Sequence, residues 1–96
     1  MNAETKFQKD VKDAIKAKFP DSVILKQNNG PQGVPDLWIF HGKRWAALEC
    51  KESEDAKHRP NQDYYVNKLN DMSYASFIFP ENKEEVLNEV FEALQS

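Results

Sequence analysis

Two acids and a lysine stand out in this 96-residue sequence. Asp36 opens the apolar run Leu37–Phe40, and Glu49 and Lys51 close a second run that begins at Arg44. A plain core strand would not carry charge at these points. If the two runs pair as a hairpin, the start of the first lies beside the end of the second, and Asp36 falls next to Glu49 and Lys51. Two carboxylates and an ammonium at one sheet edge can hold a hard divalent cation beside a phosphate. Carboxylate oxygens suit such a cation, which screens the phosphate charge and acidifies bound water. The competing reading is a surface ion pair between Glu49 and Lys51, which usually contributes little. It gives no reason for Asp36 to converge on the same place.

The elements that must position these residues are legible from periodicity. Residues 2–19 carry Phe7, Val11, Ala14, Ile15 and Phe19 at helical spacing, and Pro20 stops the helix. Glu4 lies three positions before Phe7 and seven before Val11, so it points along the apolar stripe. It can simply complement the helix dipole. A short strand is expected over Ser22–Gln27, and Asn28–Gly33 is turn chemistry throughout. Pro35 keeps Val34 extended and places Asp36 at the very start of a strand. The fully apolar Leu37–Phe40 predicts a strand covered on both faces, and His41-Gly42-Lys43 makes the turn. In the return strand, alternation puts Trp45, Ala47, Glu49 and Lys51 on one face and Ala46, Leu48 and Cys50 on the other. Cys50 then points away from the charged pair, as a small core residue.

Residues 52–59 form a polar, charge-dense loop ending in Lys57, His58 and Arg59, adjacent cations suited to phosphate contact. His58 alone is a weak candidate base. Pro60 in the first turn starts a helix through about Met72, with Tyr65, Val66 and Leu69 on its apolar face. Gln62 projects from that same inward side. Tyr74–Pro80 reads as a strand, and Asn82 with Glu85 as a capping box for a last helix. That helix has the stripe Val86, Leu87, Val90, Phe91 and Leu94 and an outer face of Glu84, Glu85, Glu89 and Glu92. The expected order is α-β-β-β-α-β-α, an α/β fold with a mixed central sheet flanked by helices, in one domain spanning residues 1–96.

Composition narrows the function classes. At 40% hydrophobic and 30% charged residues the chain falls in the globular class. No apolar run approaches a membrane span and the first residues show no signal-peptide pattern, so a cytoplasmic protein without a membrane partner is expected. The lone cysteine, Cys50, excludes an intramolecular disulfide and a cysteine-based zinc site. The net charge of −3 argues mildly against nucleic acid, but residues 61–96 hold seven acids against two lysines, while residues 1–30 hold six lysines against four acids. A polyanion can still approach the N-terminal and central face. Lys26, Arg44, Lys57, Arg59 and Lys68 are candidate phosphate contacts, each equally readable as surface charge.

Element order and motif residues together resemble the PD-(D/E)XK nuclease superfamily, with Pro35-Asp36 as its P-D and Glu49-Cys50-Lys51 as its E-x-K. The sequence is most similar to the virus-type replication-repair nuclease (VRR-NUC) branch, related to Holliday junction resolvases. Glu4 in the first helix, Gly33-x-Pro35-Asp36, and Gln62 in the run R-P-N-Q-D-Y-Y are similar to that branch as well. The resemblance runs from Glu4 to the last strand. One departure is Asn70-Asp71-Met72-Ser73, where such sequences often carry a glycine between helix and strand.

The resemblance implies a restriction-endonuclease-like core and metal-dependent hydrolysis of DNA phosphodiesters. Asp36 and Glu49 would bind Mg²⁺ or Mn²⁺ with the backbone carbonyl of Cys50, and Glu4 would complete the shell directly or through water. Lys51 would orient or help deprotonate the attacking water and stabilise charge on phosphorus, and Gln62 would position Lys51 or the phosphate. The expected substrate is branched DNA, a four-way junction or flap, in replication, recombination or repair. Symmetric cutting of a junction would call for a homodimer. The alternatives are a less selective DNA nuclease, a non-catalytic nucleic-acid-binding module on the same fold, and a small interaction domain whose acidic helix binds a basic partner.

Overall fold

The computed structural model describes residues 2–95. Its order is α1 (Ala3–Lys18), β1 (Val23–Lys26), β2 (Leu37–His41), β3 (Arg44–Cys50), α2 (Gln62–Met72), β4 (Ala75–Ile78), a 3-10 turn (Pro80–Asn82) and α3 (Lys83–Leu94). The strands form one four-stranded mixed sheet in the order β1-β2-β3-β4, with β1–β2 and β2–β3 antiparallel and β3–β4 parallel. The fold is α/β, as the periodicity predicts. Among the described residues no helix is long and apolar enough to cross a membrane.

Alternation along β3 sorts the core as expected. Ala46, Leu48 and Cys50 join Leu37, Ile39 and Ile78 in the main core, against Phe7, Val11 and Ile15 of α1 and Val86, Leu87, Val90 and Leu94 of α3. The opposite face carries a smaller cluster in which Ala47 and Ala75 meet Val66 of α2, with Trp38, Trp45, Leu69 and Phe77 around them. α2 packs mainly on β3 and β4. Trp38 of β2 still reaches the α2 cluster, but the expectation that Leu37–Phe40 is covered on both sides fails at Phe40. Leu37 and Ile39 are fully buried, but Phe40 is 38% exposed and its cross-strand partner Val23 is 53% exposed.

Local chemistry sets the element ends. Asn2 caps α1, its side-chain oxygen accepting the Thr5 N–H at 2.8 Å. The strand expected at Ser22–Gln27 shortens to Val23–Lys26, because the Ser22 amide and hydroxyl both turn back to the Phe19 carbonyl. Gly42, at φ 62°, takes the first central position of the two-residue turn that pairs His41 with Arg44. Pro60 does not start the second helix. Asn61 is left-handed at φ 71°, which no helical residue can be, so α2 begins at Gln62. The last strand is Ala75–Ile78 rather than Tyr74–Pro80, since Pro80 opens the 3-10 turn. The Asn82–Glu85 capping box is also absent. Asn82 Oδ1 accepts the Phe79 N–H and its Nδ2 donates to the Phe77 carbonyl, so the side chain closes the 3-10 turn instead.

Candidate metal centre and phosphate cleft

The β2–β3 register pairs Leu37 with Leu48, which places Asp36 and Glu49 as the next opposed residues at that end of the sheet. Asp36 Oδ1 accepts the Cys50 N–H at 3.1 Å, tying the start of one strand to the end of the other. The Lys51 N–H donates to Ile78 on the β4 side. A trans peptide points its carbonyl opposite to its N–H, so the Cys50 carbonyl faces the β2 side, where Asp36 lies. Two carboxylates and one main-chain carbonyl thus share a corner, an all-oxygen set suited to a hard divalent cation.

The corner opens into a cleft of about 750 Å³, lined by Glu4, Asp36, Glu49, Lys51, Arg59 and Gln62 among others. Lys51 is 5% exposed and Glu49 6%. The Lys51 Nζ donates to the Lys57 carbonyl at 3.1 Å and stands 4.0 Å from Glu49 Oε2. The first contact anchors the 52–59 loop to the site. Gln62 is 7% exposed at the first turn of α2, and its Oε1 accepts the Arg59 N–H at 2.8 Å. That bond uses the amide oxygen and leaves Nε2 as the donor available to a ligand.

The electrostatics show that charging both acids is costly. Burial raises Asp36 above its ordinary value, and the Glu4 charge adds to it, while the hydrogen bonds from Cys50 and Gln8 pull the other way. Burial, followed by the Asp36 charge, pushes Glu49 up to about 8, with Lys51 opposing. Without a cation the two cannot both be charged at neutral pH without cost. The donor set therefore fits Mg²⁺ or Mn²⁺. Burial pushes the Cys50 thiol up, which keeps it protonated and inert, and its sulfur belongs to the core.

The other expected residues divide. Glu4 is exposed on the first turn of α1, at the cleft wall rather than on the buried stripe. Among the described residues no three His, Cys, Asp or Glu side chains form a preformed metal group. Lys57 and Arg59 line the cleft. Lys26 borders a separate shallow groove with Lys9 and Lys12. Arg44 opens β3, roughly 17 Å along the strand from Glu49. Lys68 lies exposed on α2. His58 does not face the cleft; it stacks on Phe77 at 4.0 Å and bonds Asp63 at 3.0 Å.

Gln8 was not among the expected residues. It is 6% exposed and its Nε2 donates to Asp36 Oδ2 at 2.9 Å. The signal for it lay in the spacing. Gln8 sits four residues after Glu4, three before Val11 and seven before Ile15, a polar residue on an otherwise apolar stripe.

Compared with models of protein families, with curated proteins and with solved structures, the chain matches none.

Proposed function

We propose that this chain is a metal-dependent nuclease domain that hydrolyses DNA phosphodiester bonds, of the PD-(D/E)XK type and nearest in its motifs to the virus-type replication-repair branch. The observation that carries the reading is the corner itself. The Asp36 and Glu49 carboxylates, the inward-facing Cys50 carbonyl and the buried Lys51 ammonium gather at one sheet end. A surface ion pair does not require a lysine this deeply buried beside two acids that burial pushes above their ordinary range. The four-stranded mixed sheet, with α1 and α3 on one face and α2 on the other, is compatible with a restriction-endonuclease-like core.

A bound Mg²⁺ or Mn²⁺ held by Asp36, Glu49 and the Cys50 carbonyl, with Glu4 at the rim, would supply charge neutralisation for the phosphate and a more acidic water. The protein's own groups do the rest. The Lys51 ammonium has three donors and spends one on the Lys57 carbonyl. The remaining two can orient a water and stabilise the negative charge that grows on the phosphoryl oxygens. Gln62 Nε2, Lys57 and Arg59 sit on the far wall, where they can bind the scissile and adjacent phosphates. The uncharged amides of Asn2, Gln27, Asn28 and Gln32 also line the cleft, where they can donate to phosphate oxygens. The preference for four-way junctions or flaps rests on the resemblance to the virus-type replication-repair branch. Symmetric cutting of a junction brings in a second copy of the chain.

The test is cleavage of labelled junction, flap, duplex and single-stranded DNA in Mg²⁺, Mn²⁺ and EDTA, with Lys51→Met and Asp36→Asn alongside. Cutting that needs metal and is lost in both variants is the expected result. Wild-type protein that binds DNA but cuts none of the four in either metal would replace the enzyme with a binding module.

A further inference from the structure

Asp36 is held from two directions by two different elements. Its Oδ1 takes the main-chain N–H of Cys50 at 3.1 Å and its Oδ2 takes the side-chain amide of Gln8 at 2.9 Å. One donor belongs to the sheet and the other to α1, so the plane of the carboxylate is fixed relative to both. Each oxygen keeps a further lone pair, which leaves the group free to ligate a cation without breaking either bond.

Gln8 touches the site through Asp36. Glu4, Asp36 and Glu49 line the cleft, whereas Gln8 is not among its lining residues and borders a separate shallow groove with Thr5, Lys9 and Lys26. It is 6% exposed, on a helix whose neighbouring Phe7, Val11 and Ile15 are locked into the main core. A side chain on so rigid a base transmits its position to whatever it holds. Being neutral, the amide orients Asp36 without supplying the positive charge that the cation would supply.

We infer that Gln8 is a positioning residue for Asp36, setting the affinity of the site for its divalent cation. The inference rests on the metal-nuclease reading above. Donors that orient a ligating carboxylate from outside the coordination shell typically change metal affinity by about 10- to 100-fold when removed. A Gln8 that merely ties α1 to the sheet would affect melting and leave metal affinity alone.

The experiment is Mn²⁺ binding to the metal-free chain without DNA, followed by the free-Mn²⁺ electron paramagnetic resonance signal and by calorimetry. Wild type is compared with Gln8→Met, which keeps the length and loses the donor, and Gln8→Glu, which keeps the shape and turns the donor into an acceptor. Metal-free melting of each variant reports the structural contribution separately. Affinity should fall about 10- to 100-fold in Gln8→Met and further in Gln8→Glu. In cleavage assays the half-saturating Mn²⁺ should rise by the same factor. Equal Mn²⁺ affinity in wild type and in whichever variants remain folded overturns the role of Gln8 and leaves the nuclease reading standing. Absence of Mn²⁺ binding by the wild type overturns both.

Discussion

Gly33 and Asn61 meet backbone to backbone. A Cβ on Gly33 would come within 2.7 Å of both the Asn61 carbonyl carbon and its Cβ, and within 2.8 Å of the Pro60 oxygen. Gly33 is also at φ 97°, a region that side chains avoid. This contact locks the loop before Asp36 onto the residue that precedes Gln62. Two segments that line the cleft are thus joined at this close approach.

Gly33→Ala should therefore cost about 2–4 kcal/mol of stability, from backbone strain together with overpacking against a main chain that cannot yield. Cleavage by the folded fraction should fall as well, since Gln62 must move with Asn61. Gly42→Ala is the control. A Cβ there meets nothing within 4 Å, so strain at its φ of 62° remains as the only cost. Urea melts of the two variants, with single-turnover cleavage, separate the contributions.

The pH dependence of stability has a definite sign. Glu49 is pushed from its ordinary 4.5 up to about 8 in the folded chain. Between those values the folded state holds a proton that the unfolded state has released. Stability from this group is full below the unfolded value and is lost as pH rises through the folded one. Metal-free melting temperature should fall from about pH 5 to about pH 9, with a limiting slope of about 1.4 kcal/mol per pH unit. Asp36, raised in the same sense, steepens the acid end of that fall. Glu49→Gln should flatten it. Mg²⁺ needs the carboxylate ionised, so its stabilising effect should grow with pH up to about 8 and then level. Calorimetry in buffers of different ionisation enthalpy should detect proton release below that pH.

Activity and stability should move in opposite directions at Asp36. Asp36→Asn keeps the acceptor that Cys50 uses, keeps the Gln8 bond once Gln8 turns its amide oxygen to the new NH2, and removes a charge whose burial is unfavourable. The variant should melt above wild type in EDTA at pH 8, yet gain nothing from Mg²⁺ and cut no DNA. A variant that melts lower in EDTA would mean that the carboxylate charge is compensated within the protein, and that no cation is needed.

How much of this could be read from the sequence depends on whether the cause was local. The helices, the β2–β3 hairpin and the facing of Ala46, Leu48 and Cys50 away from Glu49 followed from periodicity, because burial on one side imposes it. The start of α2 did not follow, because Pro60 fits a first helical turn and only the left-handed Asn61 moves the start to Gln62. Nor did the use of Asn82, whose side chain had a nearer acceptor and donor in the 3-10 turn than in α3. Gln8 escaped because a glutamine on a helix stripe reads as surface until its distant partner is known. The uncovered part of the sheet was hidden for a related reason. An apolar run such as Leu37–Phe40 shows that its residues can be buried, and only the placement of α2 decides whether they are.

That last point separates two sets of apolar residues by energetics. Leu48 is fully buried between the sheet and the α1–α3 layer, so Leu48→Ala should cost about 2–5 kcal/mol through lost transfer energy and the cavity left behind. Val23 and Leu25 are each 53% exposed on the edge strand, and Val23→Thr and Leu25→Thr should change stability by no more than about 0.5 kcal/mol. Guanidinium melts at low protein concentration measure this. A loss above about 1 kcal/mol at Val23 or Leu25 would show that this face is covered in solution. Repeating the melts across a range of protein concentrations would then decide whether a second copy covers it, because only association makes the midpoint depend on concentration.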